Sequence, residues 1–324
     1  MSNYAVEKTR IDRFEVVELY DSDNRIAIAV DIGNTLYNWI WKGQSVIWFP
    51  YSLAAYADND RLAGNPFLYP WANRLQEDAI PVDGRMYDFD HADIYRDSNG
   101  LPLHGLLLKS ARWETVKLEA SAIDARHVAE LNFPETVNGV NVFPFKHRLR
   151  MEHLLNETGL WISVTVVNDD SKPLPLSFGF HPYFSFGDTD RSRVRLSLPF
   201  TEHYITDQRL LPDGRLEPVT DLFPGRSFLL DNTFLDDGFT DVEGNPVMKV
   251  EMDQWRVKVN LGEDYPVGMV YAPVSKESAY ICLEPMLQPT NALNLAHQKK
   301  IAPLQYVASG EQKTVTFGIS LESV

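Results

Sequence analysis

Short stretches of alternating apolar and polar residues, separated by Gly, Asn, Asp and Pro, recur along the whole chain. In one of them Ile26, Ile28 and Val30 alternate with alanines before a break at residues 31–34. Further on, residues 36–41 and 45–49 flank a Lys-Gly-Gln turn, which is typical of a hairpin. Because strand side chains alternate with a period of two, the pattern predicts β-strands and no convincing amphipathic helix.

The longest predicted hairpin joins residues 147–155 to residues 160–167 through an Asn-Glu-Thr-Gly turn. The apolar face of this pair consists of Leu149, Met151, His153 and Leu155 on one strand and Ile162, Val164 and Val166 on the other. A polar and apolar alternation over residues 314–321 predicts a closing strand. Strands spread in this way from end to end are typical of a sandwich or a barrel.

Neither an internal repeat nor a linker rich in Gly, Ser or Pro divides the chain. The 324 residues are compatible with one large all-β unit, since such architectures often exceed 200 residues without dividing. We therefore expect residues 1–324 to form a single domain.

Two apolar runs each end in one titratable residue followed by proline. Residues 279–283 precede Glu284, and residues 178–180 precede His181. Strands that are apolar on both faces are buried, and burial shifts the pKa of a charged group, which is the usual setting for acid–base chemistry. Either residue could instead cap a strand or form a salt bridge that holds a loop.

The segment 65–75 places Asn73 and Arg74 among apolar and aromatic residues, with two prolines that forbid a helix. The guanidinium fork suits carboxylates or vicinal hydroxyls, and the Asn amide donates and accepts, so the pair suits a polyol ligand. The alternative is a structural Arg that pairs with one of the abundant carboxylates.

Two further polar positions stand out on the same reasoning. His104 follows an apolar approach and precedes Gly105, which permits close backbone contact, although a lone His in that setting is more often part of the core. Asp236 and Asp237 precede a glycine, where an Asx turn competes with a ligand contact. Trp71, Phe180 and Tyr183 could offer apolar faces to a sugar ring or pack in the core.

The net charge of −15 and the absence of long Lys or Arg runs argue against nucleic acid and anionic membranes as partners. A single cysteine, Cys282, cannot form an intramolecular disulfide, and the N-terminal residues 1–21 lack the apolar core of a signal peptide. We expect a cytoplasmic protein. The histidines lack zinc-ligand spacing, so we expect no metal, and the chain has no nucleotide-binding fingerprint.

Taken together, these segments resemble the aldose 1-epimerase (galactose mutarotase) family, whose pattern they follow in order over nearly the whole chain. The matching segments are Pro70-Trp71-Ala72-Asn73-Arg74, His104-Gly105, His181-Pro182-Tyr183-Phe184, Asp236-Asp237-Gly238-Phe239 and Leu283-Glu284-Pro285-Met286. Two features differ from the better-studied galactose enzymes: Ser185 follows Phe184 where Asn is frequent, and the residues directly after Pro285 lack the Gln-containing pattern.

The resemblance implies a large antiparallel β-sandwich with an open sugar-binding cleft and no metal or organic cofactor. It also implies roles for the matched residues. Glu284 would be the general base and His181 the general acid. Asn73, Arg74, His104 and Asp236 would contact sugar hydroxyls, with Asp236 preferred to Asp237 because its distance from Phe239 matches the family spacing.

The implied activity is the interconversion of the α and β anomers of a hexose, for which one base and one acid suffice. That chemistry leads us to expect an ionised Glu284 and a protonated His181 at neutral pH. Two alternatives remain: a non-catalytic carbohydrate-binding or sensor protein, and a glycoside hydrolase or lyase, which would need a second carboxylate such as Asp236. We expect a monomer or a weak homodimer.

Overall fold

The structure is a computed structural model that describes residues 4–82, 84–89, 92–133, 136, 142–223, 225–275 and 278–324. The first strands in chain order are β1 (Ala5–Ile11), β2 (Phe14–Tyr20), β3 (Asn24–Ala29), β4 (Thr35–Trp41), β5 (Gln44–Ser45), β6 (Phe67–Leu68), β7 (Ala79–Val82), β8 (Arg85–Asp88), β9 (Glu114–Ala120), β10 (Asp124–Asn132), β11 (His147–Asn156), β12 (Gly159–Asn168) and β13 (Leu174–Leu176). They are followed by β14 (Gly179–Phe180), β15 (Tyr183–Ser185), β16 (Arg195–Ser197), β17 (Phe200–Thr206), β18 (Pro212–Pro218), β19 (Ser227–Leu229), β20 (Leu235–Val242), β21 (Val247–Glu251), β22 (Trp255–Asn260), β23 (Val267–Ala272), β24 (Tyr280–Met286), β25 (Gln305–Val307) and β26 (Gln312–Ser323).

Helices are few and short in the part of the chain that the structure describes. They are α1 (Leu53–Ala57), α2 (Val219–Leu222) and α3 (Ala292–His297), with a 3-10 turn at Arg191–Arg193. Across the described ranges, no helix has the length and apolar character that crossing a membrane requires. The absence of long helical periodicity in the sequence is thus reflected in the fold.

Two large antiparallel sheets form the sandwich that the resemblance implies, and the all-β prediction is confirmed. One sheet has nine strands in the order β19-β16-β21-β22-β26-β12-β11-β10-β9. The other runs β18-β17-β20-β23-β24-β14-β6, with β15 pairing beside β14 on β24. Apolar side chains from both sheets, among them Ile162 and Leu283, belong to one continuous buried core. Strands β1 to β5 form a further sheet that packs on this core.

The predicted hairpins are confirmed, with one difference in length. Strands β11 and β12 pair with Leu149 opposite Val166 and Met151 opposite Val164, and the predicted apolar face is buried. Strand β4 pairs with β5, but β5 contains two residues and is shorter than the sequence pattern suggests. The closing strand is β26, which lies between β12 and β22 in the nine-stranded sheet.

Strand β24 is buried along its whole length, because one face contributes to the core while the other carries Tyr280, Cys282 and Glu284. The expectation that Glu284 ends this strand is wrong, since β24 continues through Pro285 to Met286. Proline lacks a backbone N–H, so it fits a strand where no ladder bond is needed on that side. Pro285 meets this condition because the partner strands β14 and β15 contact β24 only on either side of it.

Candidate functional site

His181 and Glu284 are brought together by a gap between two short strands. Gly179 on β14 pairs with Met286, and Tyr183 on β15 pairs with Cys282, so the same antiparallel register places His181 level with Glu284. Residues on a strand alternate in facing, so these side chains share one face of the sheet. The His181 Nε2 atom lies 3.3 Å from Glu284 Oε1. Both side chains are almost fully buried, 7% and 1% exposed.

Burial dominates the electrostatics of this pair. It lowers the pKa of the His181 imidazole to about 3, and the Arg74 guanidinium lowers it further. Burial also raises the pKa of the Glu284 carboxyl well above its ordinary value, with a contribution from Asp236. The charge distribution expected from the sequence, an imidazolium beside a carboxylate, is therefore disfavoured in the free protein. Removing two charges from water costs more than their attraction returns, so the pair prefers to share its single proton in the neutral form.

Arg74 lies between two carboxylates. The alternative interpretation, in which this Arg pairs with carboxylates of the protein, is therefore correct with respect to its ion pairs. Its Nε donates to Asp97 Oδ2 at 2.8 Å, and its Nη2 donates to Asp236 Oδ2 at 3.1 Å. The guanidinium nevertheless remains on the cavity wall beside Asn73. Asp97 could not be identified from the sequence, because a lone Asp in a polar turn carries no pattern that links it to a residue 23 positions earlier.

His104 is held against the same site by tight backbone packing. The backbone N–H of His104 donates to the carbonyl of Asn73 at 3.0 Å, and the backbone N–H of Leu106 donates to the carbonyl of Tyr69. Gly105 must be a glycine, since its φ is +76° and an added Cβ would lie 2.2 Å from the Tyr69 carbonyl oxygen. The His104 ring meets the His181 ring edge to face at a centroid distance of 5.2 Å. Burial lowers the pKa of His104 well below its ordinary value.

Asp236 and Asp237 occupy opposite faces of strand β20. Asp236 faces the cavity and binds Arg74, whereas Asp237 binds His203 Nε2 at 2.9 Å through its Oδ1 atom. Burial raises the pKa of Asp236, although Arg74 acts in the other direction. The residue selected from the family spacing is thus the one that lies in the cavity.

The six residues to which the resemblance assigns a role all line one cavity of about 750 Å³, namely Asn73, Arg74, His104, His181, Asp236 and Glu284. Aromatic side chains form much of the remaining wall, including Trp48, Tyr51, Tyr95, Tyr183, Tyr271 and Tyr280. Of the aromatic residues considered for sugar contact, only Tyr183 is among these lining residues. Trp71 and Phe180 are 1% exposed and belong to the core, where Trp71 stacks on Phe89 at 5.6 Å. For Trp71 the binding interpretation is wrong, because its segment turns the indole inward.

Trp48 is one of several aromatic wall residues that could not be identified from the sequence. It is half-buried in the cavity wall, with its ring centroid 4.4 Å from that of Tyr280 and 5.9 Å from that of Tyr183. Its backbone N–H donates to the Tyr183 carbonyl at 2.9 Å. The sequence around Trp48 is uniformly apolar and offers no polar neighbour that would distinguish a wall residue from a core residue.

Within the described ranges, no three His, Cys, Asp or Glu side chains are grouped so that they could hold a metal ion. Several buried atoms around the cavity do lack a hydrogen-bond partner within the described part of the chain. They are Glu284 Oε2, His181 Nδ1 and His104 Nδ1. Buried polar atoms are costly when unsatisfied, so atoms of this kind beside a cavity are suited to receive a polar ligand.

Comparison with known proteins gives a consistent result. The model of the aldose 1-epimerase family matches residues 15–320. A galactose mutarotase-like protein from Clostridium acetobutylicum is similar with a TM-score of 0.86 at 18% identity, over 99% of both chains. An aldose epimerase homologue from C. elegans has a TM-score of 0.75 at 16% identity, over 100% of both chains. A galactose 1-epimerase from Lactobacillus acidophilus has a TM-score of 0.74 at 16% identity, over 100% of this chain and 99% of that one. These structures establish the likeness in fold.

Proposed function

The chain belongs to the aldose 1-epimerase family, and from this premise we propose that it is a mutarotase that interconverts the α and β anomers of a neutral hexose. The observation that carries the proposal is the direct contact of 3.3 Å between His181 and Glu284 inside the cavity. Anomerisation needs one acid and one base on the same sugar ring, and this pair supplies both. We further propose that the protein works in the cytoplasm.

The reaction proceeds through the open-chain sugar. Glu284 removes the proton of the C1 hydroxyl while His181 gives a proton to the ring oxygen, so the bond between C1 and the ring oxygen breaks and C1 becomes a carbonyl. Rotation about the C1–C2 bond presents the other carbonyl face. The reverse transfers then close the ring, with each group returning to its starting state, as microscopic reversibility requires.

The preference of the pair for its neutral form is compatible with this cycle. The neutral form, protonated Glu284 with neutral His181, is the state that the cycle reaches after ring opening. Either distribution of the single proton provides one acid and one base, and the 3.3 Å contact allows the proton to pass between them. Sugar hydroxyls that bind the unpartnered Glu284 Oε2 atom would stabilise the ionised carboxylate, because hydrogen bonds to a charged form favour that form.

A neutral sugar is favoured by the charges around the cavity. Among the wall residues that the structure describes, Arg61 and Arg74 contribute two cations, and Asp236 and Glu284 contribute two carboxyl groups. Asp97 places a further carboxylate against Arg74 at 2.8 Å. Arg74 is thus compensated already, so its guanidinium offers little attraction to the phosphate of a phosphorylated sugar. Asn73, Arg74, His104 and Asp236 would bind the hydroxyls, and the aromatic wall would pack on the C–H face of the ring.

The proposal is tested by polarimetry on freshly dissolved α-glucose and α-galactose, with saturation-transfer NMR at anomeric equilibrium as a second measurement. We expect the wild-type protein to accelerate mutarotation and Glu284→Gln and His181→Asn each to abolish the acceleration. Glu130→Gln is the matched control, since it removes a carboxylate that pairs with Arg150 on the nine-stranded sheet, outside the cavity.

Near-wild-type rates in both site variants would refute the assignment of acid and base. Sugar binding without any acceleration by the wild type would point to a carbohydrate-binding or sensor protein. Sustained release of aglycone from aryl glycosides would point to a hydrolase. The relative rates with glucose and galactose would establish which sugar the cavity prefers.

A further inference from the structure

Asp97 is buried beside the cavity wall, where it binds the Nε side of the Arg74 guanidinium. Its side chain is 5% exposed, and its Oδ2 atom accepts from Arg74 Nε at 2.8 Å. Its Oδ1 atom accepts from the backbone N–H groups of Asn99 and Leu101, each at 2.9 Å. The carboxylate therefore holds both the turn that contains it and the guanidinium beside it.

The turn around Asp97 is closed by its own backbone as well. The Asp97 N–H donates to the Leu101 carbonyl, and the Gly100 N–H donates to the Asp97 carbonyl, each at 3.0 Å. Directly after this turn, the N–H of Leu75 donates to the carbonyl of Pro102 at 3.0 Å, which ties the Arg74 segment to the segment that leads into His104. A rigid turn thus fixes Asp97 relative to two residues of the cavity.

We propose that Asp97 is a positioning residue, which locks the Arg74 guanidinium in the orientation that serves Asp236 and the sugar, and thereby sets the rate of the proposed reaction. The inference rests on the mutarotase function proposed above. The Nε–H bond fixes the plane of the guanidinium, and a planar donor fork binds only where its plane is correct. With Nε held by Asp97, Nη2 reaches Asp236 at 3.1 Å. Misplacement of a binding group by about 1 Å can cost on the order of 100-fold in rate.

The negative charge of Asp97 also affects the pKa values of ionisable groups in the site. The ionisable groups around Arg74 are Asp97, Asp236, His104, His181 and Glu284. Asp237, Tyr271 and Cys282 also interact electrostatically with Asp236. Burial raises the pKa of Asp236, Arg74 lowers it, and the charges of Asp237 and then Asp97 raise it again. Removing the negative charge at position 97 should therefore lower the pKa of Asp236.

Asp97→Asn separates positioning from folding. The Asn Oδ1 atom can still accept the two backbone N–H groups of the turn, whereas its Nδ2 group is a donor and cannot accept from Arg74 Nε. Asp78→Asn is the matched control. Asp78 accepts from Arg96 Nη1 at 2.6 Å, and neither residue of this ion pair lines the cavity. The same Nη1 donates to the Gly100 carbonyl at 2.9 Å, a bond to the Asp97 turn that does not involve Asp78, so the control changes a neighbouring carboxylate and leaves Asp97 in place.

We expect Asp97→Asn to lower kcat/KM for mutarotation by roughly 10- to 100-fold and to move the acidic limb of its pH profile to lower pH, while Asp78→Asn changes neither. In ¹H–¹⁵N spectra, the Nε–H signal of Arg74, identified by its loss in Arg74→Lys, should be protected from exchange in the wild type and in Asp78→Asn. It should lose that protection in Asp97→Asn. A loss of folding alone would lower the signal amplitude of the whole spectrum and would not shift the pH limb.

The outcomes distinguish this inference from the proposed function. If the wild type is active and Asp97→Asn matches Asp78→Asn in rate and pH profile, the role of Asp97 is refuted and the mutarotase function stands. If the wild type lacks activity, the function is refuted, and the Arg74 Nε–H signal alone decides whether Asp97 holds the guanidinium. A protected signal in Asp97→Asn overturns the inference in either case.

Discussion

Asp236 and Asp237 are adjacent on strand β20, yet their carboxylates bind different partners on opposite faces of the sheet. Asp236 binds Arg74 in the cavity, and Asp237 binds His203, whose side chain is 5% exposed. The alternation of a β-strand separates them, since consecutive side chains point to different faces. The two residues therefore form a natural pair of site variant and control.

Asp236→Asn is expected to lower kcat/KM for mutarotation by roughly 10- to 100-fold, because a hydrogen bond to a charged group contributes about 1.5–3 kcal/mol. Asp237→Asn removes a carboxylate of the same strand and should leave kcat/KM within about threefold of wild type. Polarimetry on both variants, with thermal unfolding to establish that each is folded, decides the matter. Equal losses in the two variants would contradict the assignment of Asp236 to the sugar.

The substitution Gly105→Ala tests whether the close backbone packing against Tyr69 holds His104 in place. Gly105→Ala places a Cβ 2.2 Å from the Tyr69 carbonyl oxygen at a φ of +76°, so backbone must move. We expect a loss of roughly 2–5 kcal/mol in the free energy of unfolding from strain and overpacking together. Activity should fall further than stability explains, because His104 is displaced from His181.

Gly310→Ala, in the turn before β26, is the control for that substitution. Its φ of +75° is nearly the same, but an added Cβ meets no described atom within 4 Å. It should cost about 1–2 kcal/mol from backbone conformation alone and leave kcat/KM unchanged in the folded protein. Urea unfolding and polarimetry on both variants measure the difference. A Gly105→Ala protein as stable and active as Gly310→Ala would show that the close approach to Tyr69 is unimportant.

The residues of the cavity could be predicted from the sequence where a local pattern marks them. Residues that reach the cavity only through tertiary contacts could not. Glu284 and His181 each follow an apolar run, and Asn73, Arg74 and His104 are polar residues in apolar surroundings. Asp97 carries no such mark, and the neutral state preferred by the His181–Glu284 pair depends on a degree of burial that sequence does not reveal. That residues 1–324 fold as a single domain stays a prediction.

Trp48 and Trp71 show that the sequence alone does not distinguish an aromatic residue of the cavity wall from one of the core. Trp48→Ala should raise KM up to about tenfold through the loss of a sugar-facing ring, with a modest effect on stability. Trp71→Ala should instead lower the free energy of unfolding by roughly 3–5 kcal/mol, as expected for a large side chain removed from a core. Sugar titrations followed by saturation-transfer NMR, together with urea unfolding, measure both effects. A larger KM increase in folded Trp71→Ala than in Trp48→Ala would reverse the two assignments.

The hydrogen bonds of His147 define its tautomer in the core. Its Nδ1 atom lies 2.7 Å from the Phe145 carbonyl oxygen, which can only accept, so Nδ1 carries the proton. Its Nε2 atom then accepts from the Tyr69 hydroxyl at 2.6 Å. Burial lowers the pKa of this imidazole to about 4, although the Phe145 carbonyl acts in the other direction. A second proton on Nε2 would reverse this bond, because the Tyr69 hydroxyl would then have to accept instead of donate.

His147 should therefore make the protein less stable in acid. The unfolded chain binds a proton near pH 6.5 and the folded chain only near pH 4, so the contribution of neutral His147 is present above pH 6.5 and is lost as the pH falls towards 4. The loss amounts to roughly 3 kcal/mol at most. In His147→Asn the amide keeps the bond to Phe145 and does not titrate. The difference in free energy of unfolding between the wild type and His147→Asn, measured with urea, should thus shrink between pH 7 and pH 4.5. His297→Asn replaces an exposed histidine and serves as the control. A constant difference between wild type and His147→Asn across this range would show that the imidazole stays in the same protonation state on unfolding, contrary to the prediction.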